Sequence, residues 1–257
     1  MIQFDCHAHV YERIQAVPGA RYAPEVPAPL AAWRALQADH SIRGGVIVQV
    51  SFLGTDNSQL VTALSPLDRR HFAGVAVVEL TVSDDDLAHL ADSGVKAVRW
   101  NLVSGAQLPD LAARKTRRFV DALAAHGMHI EIQLESARLA EYLAPLSVLP
   151  VPVVIDHMGL PASPNPAHEP WLQAMDACQN RGQFFVKLSA PYRGKADPRR
   201  HLDHLLGLIG PDRYVWGSDW PHTRHEGVAT YAGGLDVISG HIDDTMAVDL
   251  LYGLKVE

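Results

Sequence analysis

The chain has 257 residues, with 22 Lys and Arg against 29 Asp and Glu and a formal net charge of -7. That length is ample for one domain with a large core, and a single domain over 1–257 is expected. The acidic balance, with no run rich in Lys or Arg, argues against nucleic acid or an anionic membrane surface as partner and favours a small molecule. The start Met1-Ile2-Gln3-Phe4-Asp5 has neither a basic nor a long apolar region, and no later apolar run reaches about 18 residues, so a cytoplasmic protein is expected. Cys6 and Cys178 are too few and too distant for a disulfide framework or a thiolate zinc site, and are expected as buried thiols.

Eight apolar or alternating runs begin near residues 2, 44, 72, 95, 127, 152, 184 and 214, each followed by a segment with helical features. This alternation predicts an α/β fold with a parallel sheet, and eight repeats suit a single closed (β/α)8 TIM barrel better than a doubly wound sheet. Leu30, Trp33 and Leu36 form one apolar stripe, and Val120 and Leu123 form another. Ser83 ahead of Asp84, Asp85 and Asp86 reads as an N-cap with acidic residues in the first turn. Long or Pro-rich connections run from Tyr11 to Pro29, Gly159 to Pro170, Pro191 to Pro198 and Pro221 to Glu226. In such a barrel the loops after the strands build the site, so Tyr22, Arg193 and Arg224 are either solvated or near a ligand.

Alternate strand residues share a face. Near the top of the barrel this rule aims inward His7 and His9, Gln49 and Ser51, Arg99 and Asn101, Glu131 and Gln133, His157, Lys187 and Ser189, and Asp219. It turns outward Val50, Val98, Trp100, Ile132, Val154, Val186 and Leu188. So many polar groups inside a barrel are costly unless they pair with one another or with a ligand, which points to a polar pocket. His7, His9, His157 and Asp219, from the first, sixth and last strands, could hold a single Zn2+. The alternative is a set of hydrogen-bonded core histidines; for Arg99 and Lys187 it is pairing with Glu131 or Asp156. Trp216 and Trp220 read as core or pocket wall.

The segments Asp5-Cys6-His7-Ala8-His9-Val10, Tyr22-Ala23-Pro24, Val48 to Asn57, Val98-Arg99-Trp100-Asn101-Leu102, Ile155-Asp156-His157-Met158-Gly159 and Gly217-Ser218-Asp219-Trp220-Pro221-His222 together resemble the amidohydrolase superfamily. The match runs in order along almost the whole chain. It is most similar to the lactonase branch that contains 2-pyrone-4,6-dicarboxylate lactonases and sugar lactonases. The resemblance implies an amidohydrolase-type barrel in which Asp219 is the general base for a water. His7, His9 and His157 would polarise the ester carbonyl, and an Asp219 pKa moderately above its reference value would suit the proton transfer. It also implies hydrolysis with no required metal: Gln133 stands where binuclear members carry a histidine, and Arg99 where a bridging lysine would be. One Zn2+ on His7, His9, His157 and Asp219 is the alternative. Tyr22, Gln49, Ser51, Arg99, Asn101, Gln133, Arg193 and His222 complete the candidate substrate-binding set.

Two departures bear on the substrate. The pyrone dicarboxylate enzymes carry a further arginine where this chain has Ser104-Gly105-Ala106, so a second carboxylate is expected to be held less well. Gln133 and Glu135 occupy the stretch of their fifth-strand tyrosine. The expected substrate is therefore a lactone of an acidic or polyhydroxy small molecule. Alternatives are a lactone isomerase or decarboxylase, a mononuclear-zinc amidohydrolase, and a degenerate barrel that only binds a carboxylate metabolite.

Overall fold

A computed structural model describes residues 2–197, 199–238 and 240–255. Pro198, the end of one predicted loop, and the extreme ends of the expected 1–257 domain lie outside the described residues. Eight parallel strands follow one another around one sheet in sequence order: β1 Phe4–Ala8, β2 Gly44–Val48, β3 Phe72–Ala76, β4 Val95–Asn101, β5 His129–Gln133, β6 Val153–Ile155, β7 Phe184–Ser189 and β8 Tyr214–Gly217. Helices alternate with them: α1 Leu30–Asp39, α2 Ser58–Leu64, α3 Asp84–Asp92, α4 Arg114–Ala125, α5 Ser136–Leu146, α6 Pro170–Ala177, α7 Arg199–Leu208 and α8 Tyr231–Asp236, with α9 Thr245–Tyr252 last. The Ser83 side chain accepts the Asp86 N–H at 3.1 Å, as an N-cap should. Among the described residues no helix is long and apolar enough to cross a membrane.

The barrel closes just beyond the end of β8. The His9 N–H donates to Trp220 O at 2.7 Å and the Asp219 N–H to His7 O at 2.8 Å. Asp5 reinforces this seam: its carboxylate accepts the Ser218 N–H at 2.8 Å, the Ser218 hydroxyl at 2.7 Å and the Trp33 indole N–H at 2.8 Å. One buried side chain thus ties β1 to the end of β8 and to α1.

Alternation holds along β4, β5 and β7, where Val98, Trp100, Ile132, Val186 and Leu188 face the helix layer. It fails in three places. In β1 the register against β2 shifts between Asp5 and Ala8, three residues spanning two, so Asp5 reaches outward to Trp33 although His7 turns inward. In β6, Val154 packs in the inner cluster with Cys6, Val75, Ala97, Phe185 and Val215, whereas Val153 and Ile155 face the helices. Val154 was expected outward; the strand has the opposite phase. In β2, Val46 and Val48 are the inner residues, and Val50 lies under the first loop beside Tyr11, Ala28 and Phe52.

Residues of α9, Val248, Leu251 and Tyr252 among them, join the inner apolar cluster. Above it lies a buried ionic layer. Lys187 Nζ is 2.5 Å from Glu131 Oε2 and 3.4 Å from Asp156 Oδ1, Arg99 Nε donates to Asp156 Oδ2 at 2.8 Å, and the Tyr252 hydroxyl donates to Glu131 Oε1 at 2.6 Å. Arg99 and Lys187 therefore pair with Asp156 and Glu131. The proximity of Lys187 holds Glu131 down to about 2 and Asp156 well below the usual carboxylate range, although burial alone would raise both. Removing one member leaves a buried charge uncompensated, so Lys187→Met is expected to cost about 3–5 kcal/mol in denaturant unfolding. In the Glu131→Gln background the same change should cost less, and equal costs would show that the two groups are not coupled.

Candidate active site

The site is assembled at the C-terminal ends of the strands. His7 comes from β1, His9 follows it by two residues, and Asp219 lies two residues past β8. His157 lies beyond the end of β6, where His157, Met158 and Gly159 all take positive φ of 53°, 53° and 71°. A Cβ on Gly159 would meet the Trp171 ring at 2.4 Å, so this turn needs glycine for both its backbone and its packing. Asp219 itself has φ of 59°, sparsely populated for a non-glycine residue and held by the hydrogen bonds of the seam.

The two oxygens of Asp219 differ. Oδ2 accepts the Tyr192 hydroxyl at 2.6 Å and Arg193 Nε–H at 2.6 Å. Oδ1 is buried without a hydrogen-bond partner among the described residues, 3.6 Å from His9 Nε2 and 3.8 Å from His7 Nε2. The His9 Nδ1 is 2.8 Å from the carbonyl of Val48, which can only accept, so Nδ1 carries a proton. His7 is neutral: burial, with Lys187 nearby, lowers its pKa to about 4, against the pull of Asp156 3.6 Å from Nδ1. His157, also buried, is lowered well below the ordinary value; its Nδ1 contacts Ser189 Oγ at 2.8 Å and its Nε2 lies 3.4 Å from Arg99 Nη2.

Asp219 Oδ1 and the Nε2 atoms of His7 and His9 therefore converge at 3.6–3.8 Å, too far apart to bond directly, a place for a water or a cation. His7, His157 and Asp219 each bring a ligand atom within 4.8 Å of the others, so this donor set suits a single divalent ion. His9 lies outside that trio. A second trio, His7, Glu131 and Asp156, faces the ammonium of Lys187.

The expectation of a raised Asp219 pKa is overturned. Burial pushes it up, but Arg193, with His9, His157 and His7, holds it well below the carboxylate range. Its partners move oppositely. Burial and Asp219 push the Tyr192 hydroxyl up, and Arg193, which burial alone would lower, is raised by Asp219.

A cavity of about 170 Å³ opens above these groups. It is lined by His9, Tyr22, Ser51, Arg99, Asn101, Gln133, His157, Arg193 and Asp219, together with Arg21, Thr223, Arg224, Val103 and Ser104. Most of the expected site residues thus meet at one place. Three do not line it. His7 lies beneath, Gln49 lies in an adjoining cavity with its amide donating to Asp56 O at 2.7 Å, and His222 is buried near the Tyr192 ring, centroids 6.0 Å apart. Arg99 spends Nε on Asp156 and donates Nη2–H to Gln133 Oε1 at 2.7 Å, which ties both into the wall. Tyr192 was missed; its place beside Arg193, directly after β7, was the available signal.

Acid–base groups at the C-terminal mouth of a parallel barrel are the arrangement of a (β/α)8 enzyme. Residues 4–251 match the model of the amidohydrolase family, and the chain belongs to that family. It is 29% identical over 236 residues to 2-pyrone-4,6-dicarboxylate hydrolase of Comamonas testosteroni, an alignment covering 85% of this chain and 76% of the relative. To 4-sulfomuconolactone hydrolase of Rhizobium radiobacter it is 27% identical, over 86% and 76% of the two chains. D-galactarolactone isomerase of Agrobacterium fabrum is 25% identical over 88% and 79%. Among solved structures, a probable 2-pyrone-4,6-dicarboxylic acid hydrolase of Acinetobacter baumannii with citric acid bound superposes with a TM-score of 0.87 at 26% identity, covering 99% of this chain and all of that one.

The low pKa of His7 has a consequence for stability. The unfolded chain takes up this proton near pH 6.5 and the folded chain only near 4, so between these values the unfolded state binds more protons and stability is lost as the pH drops. Asp244, pushed up to about 6 by burial, opposes part of this. The melting temperature is expected to decline from pH 6.5 to 4 more steeply in the wild type than in His7→Asn, measured by calorimetry. Parallel slopes would mean that His7 is not the group responsible.

Proposed function

We propose that this protein is a lactonase, a hydrolase that opens the cyclic ester of an acidic or polyhydroxy small molecule. The observation that carries this is the asymmetry of Asp219: one oxygen locked by Tyr192 and Arg193, the other bare and facing His7 and His9. A water seated there can donate one proton to Oδ1 as its oxygen attacks the ester carbonyl. The new C–O bond forms as the carbonyl becomes an oxyanion. On collapse the ring C–O bond breaks, and the ring oxygen takes the proton held by Asp219. His7 and His9, whose Nε2 atoms lie beside Oδ1, orient the water. With Nδ1 of His9 and His157 engaged by Val48 and Ser189, the cationic N–H groups of Arg193 and Arg99 take the electrophilic role toward the carbonyl.

We further propose that no metal is required. With neutral histidines, the carboxylates of Glu131, Asp156 and Asp219 are balanced by Lys187, Arg99 and Arg193. A dication would add two charges with no counterpart. If one were held, His7, His157 and Asp219 would be its ligands, and it would supply Lewis-acid polarisation of the carbonyl.

The relationship to D-galactarolactone isomerase favours a second reading, since a base beside a polarised carbonyl can also remove a proton from carbon. In 18O water, hydrolysis places solvent oxygen in the acid product and isomerisation does not.

The test is a panel of sugar lactones, muconolactones and pyrone carboxylates assayed by proton release. Asp219→Asn is expected to lower kcat by about 10²–10⁴-fold with the circular dichroism spectrum retained. Full activity in that variant would refute the assignment. Activity should also survive dialysis against a chelator; loss that only added zinc restores would replace the metal-free mechanism.

A further inference from the structure

Between the left-handed turn at His157 and α6 the chain has one short helical turn, Pro166–His168, so its other backbone N–H groups must find acceptors elsewhere. Glu169, the residue before α6, serves two of them although its side chain is buried. Its Oε2 accepts the Ala162 N–H at 3.0 Å and the Ser163 N–H at 2.7 Å, and its Oε1 accepts the hydroxyl of Ser136, the first residue of α5. His201 of α7 stands by with Nε2 3.9 Å from Oε2, beyond hydrogen-bond reach. A buried carboxylate is thus spent on the path of one loop.

Pro161 passes this anchorage to the loop after β7. Its carbonyl accepts the Lys195 N–H at 2.8 Å and the Ala196 N–H at 3.3 Å. A Cβ on Gly194 would meet the same oxygen at 3.0 Å, so the two loops touch backbone to backbone. His201 closes the ring from below, its Nδ1 donating to Asp197 O at 3.3 Å. Within three residues of Lys195 stand Tyr192 and Arg193, the two groups that lock Asp219 Oδ2. We infer that Glu169 is a positioning residue: it fixes the loop after β6 and, through Pro161 O, the loop after β7, so that Tyr192 and Arg193 hold Asp219 with Oδ1 left for a water. It also fixes the exit of the His157 turn, where Leu160, at φ of 50°, donates its N–H to His157 O at 2.9 Å. The consequence for turnover rests on the lactonase proposal, and the chain of contacts does not. Ala162 is exposed and Ser163 half-buried, so water can replace Glu169 at both, and its loss loosens the loops without leaving dry donors there.

The test is the Nε–H signal of Arg193 in proton–nitrogen correlation spectra, identified by its absence from Arg193→Lys. In Glu169→Ala its exchange with water should quicken about tenfold or more, because the hydrogen bond to Asp219 opens more often. Asp244 supplies the control, a buried carboxylate that accepts the Gln3 N–H at 3.2 Å and the Phe4 N–H at 3.4 Å at the opposite end of the barrel. Asp244→Ala should lower the melting temperature and leave the Arg193 signal as it is. An unchanged signal in Glu169→Ala, or an equal change in Asp244→Ala, would overturn the inference. Should Glu169→Ala fail to fold, Ser136→Ala removes the donor to Oε1 and should quicken the same exchange, and no change there would overturn it as well. On a lactone that the protein opens, Glu169→Ala should lower kcat about tenfold or more, yet less than about twofold in the Arg193→Gln background. A merely structural role would cost the same in both. The spectra need no turnover, so the two proposals fail separately. Protein whose Arg193 signal answers to Glu169 yet opens no lactone keeps the positioning role and loses the lactonase.

Discussion

The constraint on which the site depends is charge balance inside a closed barrel. Asp156 lies at its centre, paired with Arg99 at 2.8 Å and near Lys187 at 3.4 Å, with His7 Nδ1 at 3.6 Å. Taking such groups from water costs several kcal/mol per ion, and only close pairing offsets it. The apolar cluster beneath adds little polarity of its own, so the layer must satisfy itself, and Tyr252 of α9 completes it through Glu131. Because His7 is fully buried, with Lys187 and Arg99 near it, a third cation there would be unfavourable, and the imidazole stays neutral. A neutral His7 carries no charge into the space between Asp156 and Asp219.

The second constraint is the seam. In a parallel barrel the first and last strands must meet without a hairpin to set their register, and here the job falls to Asp5 and Ser218. Their bonds put His7, His9 and Asp219 side by side, and Asp219 accepts a left-handed backbone there. His157 reaches the same spot by a different route, a left-handed turn packed under Trp171. Positive φ at two functional residues matches the observation that strain collects where the surrounding structure over-determines the backbone.

Much of this was legible in the sequence. The eight strand starts, the Ser83 cap and the meeting of β1 with the end of β8 follow from periodicity and length. So does the polar lining contributed by β4, β5 and β7, where alternation is unbroken. What escaped was set by departures from regular strand geometry. The bulge in β1 sends Asp5 outward, and β6 runs in the opposite phase, with His157 recovered by a turn that alternation cannot foresee. The partners of Asp219 escaped for another reason. Tyr192, and the pairing of the expected Arg193 with Asp219, belong to a loop whose path depends on contacts far away in sequence, and a pKa depends on neighbours that no linear pattern displays.

The depressed pKa of Asp219 bears on the kind of bond the site can break. A carboxylate held below its usual range is ionised throughout the neutral region, so it is always in the form that accepts a proton, but it is a weak base. Such a base gives little help with a poor electrophile and a strongly basic leaving group, as an amide presents. An ester whose leaving oxygen is an alkoxide or enolate expels it more readily and needs less proton transfer at the barrier. The ring of a lactone also keeps that oxygen near Asp219 after the bond breaks, where the same carboxyl can return the proton. The electrostatics that stabilise the barrel interior and the modest basicity of Asp219 Oδ1 therefore point to the same class of substrate.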